Sequence, residues 1–221
     1  MIRPRPAKRA AYHHGNLREV LVETGIKVIE KHGVAALTLR EIGAQAGVSR
    51  TAAYRHFTGK EELLCAISEA GFALFRSEIG AALAATRADF PSRLRAMAVA
   101  YARFALCHQA RFTVMFDATR RETVGPPELQ CEPRPEGDLA FAQLEGVVRD
   151  GQENGYVRAG ETKLLAELVW AHIHGISMLR LAVGPSGELD EAFLHRMSDL
   201  LLAGIGSPTA PGPAPRKRRK P

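Results

Sequence analysis

Between Leu37 and Phe57 the chain reads LTLREIGAQAGVSRTAAYRHF, and this stretch restricts the fold more than any other. Thr38 and Ser49 suit the position just ahead of a helix, where a side-chain oxygen accepts from an otherwise unpaired amide. Gly47 lies between them where the chain must turn, and a positive φ is cheap only for glycine. The pattern predicts one short helix begun by Thr38 and stopped at Gly47, then a second begun by Ser49 and running through Tyr54. Ile42 and Ala46 give the first its inner face, and small Gly43 stands where the two cross. Val48 plugs the turn, and Ala53 and Phe57 complete a small core. This is the spacing of a helix-turn-helix.

The flanks predict more helices. Asn16-Leu17-Arg18-Glu19 has the form of a capping box, with Leu17, Leu21, Thr24 and Val28 on one helical face and Gly33 at its end. A second box is Thr38 with Glu41. A third, Thr58-Gly59-Lys60-Glu61, opens a long helix bearing Leu63, Leu64, Ile67, Phe72 and Phe75. Pro91 fits a first helical position, ahead of a stripe of Leu94, Met97, Ala98, Tyr101, Phe104, Ala105 and His108. Residues 123–137, rich in proline, read as a loop. Helices follow over 139–152, closed by Asn154-Gly155, then from a Thr162 cap through Leu181, and over 189–203 after a turn at 184–187. Strict alternation is almost absent, so strands are not expected. The fold class is all-α, with a three-helix helix-turn-helix head and a larger helical body. The expected divisions are a basic arm (1–14), the head (15–60), the body (61–204) and a Pro-rich basic tail (205–221).

Charge follows these divisions. Residues 1–60 hold eleven Lys/Arg against four Glu, 61–215 hold fourteen against twenty Asp/Glu, and 216–221 add five basic residues. A basic head and tail around a mildly acidic body is the footprint of a polyanion binder. At 46 % hydrophobic and 24 % charged residues, the chain as a whole is not disordered. Its longest plausible apolar stretch without Asp, Glu, Lys or Arg, Leu168–Leu179, is twelve residues, short of the roughly 18 that span a membrane. No apolar segment follows the basic N-terminus, and the chain reads as cytoplasmic. Cys65, Cys107 and Cys131 are odd in number and widely spaced, which argues for small buried hydrophobes and against a disulfide framework or a paired-cysteine zinc site. No nucleophile elbow, phosphate-binding glycine loop or His-Glu-x-x-His motif is present. His172 and His174 are two apart and cannot chelate one metal from a helix. An enzyme, a cofactor and a metal are therefore not expected.

The second helix of the central motif presents Ser49, Arg50, Thr51, Ala52, Tyr54, Arg55 and His56. In such motifs this helix enters the major groove. Arg50 suits guanine O6 and N7, and Thr51 or Ala52 suits a thymine methyl. Thr38, Tyr54, His56 and Lys60 suit phosphates, and Arg40 joins them on the candidate surface. Blander readings stand beside these: Tyr54 as a core aromatic, His56 as a structural polar residue, Arg55 as a solvated charge.

The block His14-Gly15-Asn16-Leu17-Arg18, Leu37-Thr38-Leu39-Arg40-Glu41-Ile42, Gly47-Val48-Ser49-Arg50, Tyr54-Arg55-His56-Phe57 and Lys60-Glu61-Glu62-Leu63-Leu64 resembles the TetR family of bacterial transcriptional regulators. Trp170-Ala171-His172-Ile173-His174-Gly175 is similar to the Trp…His-Gly signature of one subgroup's C-terminal domain, and His13-His14 fits that subgroup too. Gly43 and Ala53 depart from the commoner choices at their positions, and the Arg/Lys tail is not part of the family pattern. The resemblance implies an all-α homodimer, a palindromic double-stranded DNA operator, and a body enclosing a small-molecule pocket whose occupation releases DNA. Candidate liners are Phe104, His108, Phe112, Met115, Phe116, Phe141, Trp170, His174 and Met178, each of which also reads as ordinary core. Gly175 permits close helix approach, making 162–183 and 189–203 the candidate dimer seam. Competing readings are a DNA compactor indifferent to sequence and a regulator or activator with no small effector.

Overall fold

The computed structural model describes residues 17–116, 135–183 and 189–208. These are all-α: nine helices, one 3-10 turn and no strand among the described residues. The arm 1–14, Asn16, Cys131, the turn at 184–187 and the basic run 216–220 lie outside them. Residues 17–67 pack as one unit and the remaining described residues as a second.

In the first unit, α1 (Leu17–His32) buries Leu21, Val22, Ile26, Val28 and Ile29. Leu17 and Thr24, from the predicted face, lie half-buried at its edge. Gly33 ends the helix at φ +76°, its amide donating to the Ile29 carbonyl at 2.8 Å. A 3-10 turn, Val34–Ala36, leads to α2 (Leu39–Gln45). The helix α3 (Arg50–Tyr54) follows, then α4 (Lys60–Ala84), whose Leu63, Leu64 and Ile67 complete this core. α1 approaches α4 through Gly25, where an added Cβ would stand 3.1 Å from Ile67 Cδ1.

Two predicted boxes form differently from expectation. At α2, Thr38 Oγ1 accepts from the Glu41 amide at 3.1 Å, but the Glu41 carboxylate accepts from Gln45 at 2.8 Å rather than reaching back. At α4 the partner of Thr58 is Glu62, not Glu61. Glu62 Oε2 accepts from the Thr58 amide at 2.7 Å and its hydroxyl at 2.9 Å. Thr58 stands one residue further out than a cap because the helix begins at Lys60, so i+4 is the residue opposite it.

The second unit is organised around α5 (Phe90–Cys107), against which α6 (Gln109–Phe116), α7 (Pro135–Glu153), α8 (Thr162–Val183) and α9 (Glu191–Ile205) pack. The predicted stripe supplies its buried face: Leu94, Met97, Ala98, Tyr101, Phe104 and Ala105. Asp89 caps α5, accepting from the Ser92 amide at 3.0 Å, so Pro91 is the second helical residue rather than the first. Neither position needs its amide.

Several boundaries are corrected by contacts distant in sequence. Residues 135–137 are helical, not loop, because Glu69 Oε2 accepts from the Glu136 amide at 3.0 Å and supplies the acceptor that the local sequence lacks. Arg76 pairs with the Glu136 carboxylate at 3.0 Å. Thr162 does not cap α8: it is the first helical residue, and its hydroxyl donates to Gln152 at 2.6 Å. The final helix is set by Asp190, which accepts from the Phe193 amide at 2.8 Å, so the helix begins at Glu191, two residues beyond the predicted start. The cysteine reading also changes. Cys107 is exposed, at the end of α5 and off its buried stripe, and Cys65 is half-buried and disulfide-bonded.

Gly151 of α7 marks the tightest approach in this unit. A Cβ there would stand 2.5 Å from Phe90 Cδ2 and 2.8 Å from Val157 Cγ2. Gly151→Ala is therefore expected to destabilise the protein by about 1–3 kcal/mol through overpacking, although alanine is the better helix former. Thermal or denaturant unfolding reads this; an unchanged or higher midpoint would contradict the packing.

Candidate nucleic-acid interface

α3 has only five residues, far too few to persist alone in water. Its ends and inner face hold it. Ser49 Oγ accepts from the Ala52 amide at 3.2 Å. Gly47 takes φ +71°, and the Val48 amide closes the turn onto the Gly43 carbonyl at 2.9 Å. Ala53 is wholly buried, and its Cβ lies 3.4 Å from the position a Cβ on Gly43 would occupy. Ile42 and Phe57 complete the floor, with the Arg18 guanidinium 5.0 Å from the Phe57 ring centre.

With Ala53 and Phe57 turned inward, the remaining face must point out. Ser49, Arg50, Thr51, Tyr54 and Arg55 are exposed, and Ala52 and His56 half-buried. Tyr54 is 44 % exposed, so it is not a core aromatic. The Arg50 guanidinium lies 5.3 Å from its ring centre, a cation–π contact that limits where the arginine points. Thr38 and Arg40 are exposed at the start of α2. Lys60 is used locally: its Nζ donates to the Val34 carbonyl at 2.8 Å, tying α4 to the 3-10 turn. A contact spanning 26 residues leaves no local signal in sequence. The arrangement offers hydrogen-bond donors and cations on a ridge one helix wide, the shape and charge that a major groove accepts.

The candidate liners lie in the second unit, in several settings. Phe104, Phe112 and Met115 are core residues. His108 pairs with Glu78 at 3.1 Å and lies 4.9 Å from the Phe104 ring. Phe116 and Trp170 stand 4.6 and 5.8 Å from the His174 ring, and Phe141 is 6.3 Å from Trp170. Met178 is 45 % exposed on α8, outside this core cluster. Tyr101 belongs to the predicted core stripe, and its hydroxyl is 2.7 Å from His174 Nδ1. Burial raises the Tyr101 pKa against the opposing effect of a Trp170 hydrogen bond, and burial lowers that of His174. Both groups are thereby held neutral.

Two family profiles match the chain: bacterial regulatory proteins of the tetR family over residues 21–67, and the tetracyclin repressor-like C-terminal domain over 94–201. The chain belongs to the TetR family. The TetR-type head also matches curated relatives. It is 40 % identical over 52 residues to the uncharacterized HTH-type transcriptional regulator YerO of Bacillus subtilis, covering 24 % of this chain and 18 % of that protein. It is 36 % identical over 61 residues to the regulator SrpR of Pseudomonas putida, covering 28 % and 29 %. These matches thus span less than a third of either relative. Among solved structures, a protein of unknown function from Rhodococcus sp. RHA1 superposes with a TM-score of 0.76 at 28 % identity, covering 90 % of this chain and all of that one. The TetR family regulator PfmR of Thermus thermophilus superposes with a TM-score of 0.62 at 24 % identity, covering 83 % and 97 %. Membership places the chain among helix-turn-helix, DNA-binding transcriptional regulators. Among the described residues no helix is long and apolar enough to cross a membrane.

Arg50→Ala in this TetR-family head is expected to weaken binding to a selected DNA site by about 1–3 kcal/mol and relax preference at one base position. Binding to a set of single-base site variants measures this. Unchanged selectivity would remove Arg50 from base reading.

Proposed function

We propose that the protein is a sequence-specific repressor that binds a palindromic operator as a homodimer and leaves it when a small, largely apolar ligand occupies the body. The exposed face of α3 carries the DNA-reading part. Arg50, Thr51 and Ala52 read bases, and Thr38, Arg40, Ser49, Tyr54, Arg55, His56 and Lys60 contact phosphate or sugar. One five-residue helix meets few base pairs, so selectivity calls for two heads on a two-fold axis.

A solvent-facing apolar stripe on α8 supports the dimer. Leu164, Leu168, Ala171, Gly175 and Leu179 follow at spacings that hold one helical face, and Ala171 is exposed with the leucines. Leu164, Leu168 and Leu179 are 60 %, 45 % and 69 % exposed, and a Cβ on Gly175 would meet nothing within 4 Å of its own chain. On α9, Leu200 is 68 % exposed and Gly204 equally open. Large exposed leucines in such a row mark a contact surface. The effector part is supported by the rings around His174. We place this regulator in the cytoplasm, where its operator lies.

Competition binding with unrelated duplex DNA at near-physiological salt tests the central reading. A site selected from genomic fragments is expected to bind about a thousandfold or more tighter than the competitor; indifference to sequence would favour a DNA-compacting role. Leu179→Glu is expected to shift the protein to monomer on sizing and to weaken operator binding with it. A dimer that survives would place the seam elsewhere.

A further inference from the structure

His174 is enclosed by aromatic rings: Phe112 stacks at 5.7 Å, Phe116 lies at 4.6 Å, Trp170 at 5.8 Å and Tyr101 at 6.1 Å. Its one hydrogen bond among the described residues is to Tyr101, through Nδ1. The direction of that bond follows from counting donors. Tyr101 is 5 % exposed, and a buried hydroxyl left without an acceptor is costly. His174 Nδ1 is the hydrogen-bonding partner of that hydroxyl among the described residues. The Tyr101 proton must therefore go to His174 Nδ1. In a neutral imidazole an accepting Nδ1 requires the proton on Nε2. Tyr101 and His174 thus form a pair of donors in series ending at Nε2. His174 itself is half-buried.

We propose that His174 presents a fixed Nε2–H donor to the effector, and that the effector is an apolar or aromatic molecule ending in a carbonyl or carboxylate oxygen. The inference rests on the reading of the body as effector-binding and adds the chemistry of the ligand's polar end. A ligand ending in an ammonium meets a donor facing a donor. Tyr101 is a positioning residue: it fixes the tautomer without touching the ligand.

Trp170 is the only tryptophan in the chain, so its emission reads occupancy beside His174. The full-length protein is titrated with decan-2-one, decanoate and decylammonium, together with six- to twelve-carbon members of each series. Melting temperature is followed in parallel, since a ligand that binds the folded state raises it. At matched length, the ketone, the carboxylate or both are expected to bind about tenfold tighter than the ammonium; which one does so names the source of the oxygen. His174→Phe is expected to bring the acceptor probes down to the ammonium's affinity. His174→Gln, which carries a donor near the Nε2 position, restores most of it. Tyr101→Phe weakens the acceptor probes and leaves the ammonium unchanged. Equal or tighter binding of the ammonium, or unchanged affinities in a folded His174→Phe, would overturn the proposal and leave the effector reading standing. No saturable change in emission or melting for any probe would overturn the effector reading itself.

Discussion

The DNA-binding head depends on the burial of Ala53 and Phe57 beneath α3. A helix of five residues has no stability of its own. It exists because its inner side chains fill a space floored by Ile42 and Gly43, and because Ser49 and Gly47 settle the chain's entry. Truncating a buried phenylalanine typically costs about 3–5 kcal/mol, which no surface contact on α3 offsets. The same inward turn of two residues leaves Arg50, Thr51, Tyr54 and Arg55 facing solvent. The DNA-reading surface is thus the outer side of the packing that makes the helix.

The body is built around a different constraint. α5 lies at the centre of the second unit, packed by its other helices, and carries Tyr101 on its buried face. A hydroxyl there must be satisfied, and His174, 73 residues away in sequence, satisfies it. What is first a requirement of burial becomes a chemical constraint, because the partner histidine keeps only one protonated nitrogen. The apolar rings around it and the exposed leucines of α8 divide that helix by face, one side turned to the core and the other to solvent.

Much of the head was legible because its determinants are local. Thr38, Ser49, Gly33 and Gly47 act within four residues of themselves, and each does what its type and spacing predict. The errors have a common cause. The start of α7 depends on Glu69 and the role of Thr162 on Gln152. None of these partners lies within one helical turn, so no spacing rule exposes them. Glu62 replaced Glu61 at Thr58 for a smaller reason, a one-residue shift in where α4 begins. Tyr101 was read as core and is core; its hydrogen bond to α8 has no signature in the stripe that placed it. The family itself was legible in the head motif, and family profiles match over 21–67 and 94–201.

Every functional statement about the head requires that the outer face of α3 enter the major groove. Methylation interference on a selected operator fragment tests this directly, since guanine N7 lies in the major groove and adenine N3 in the minor. N7 methylation is expected to block binding at two symmetry-related clusters about one helical turn or more apart. Blocking confined to adenine N3, or no blocking at any base, would contradict it.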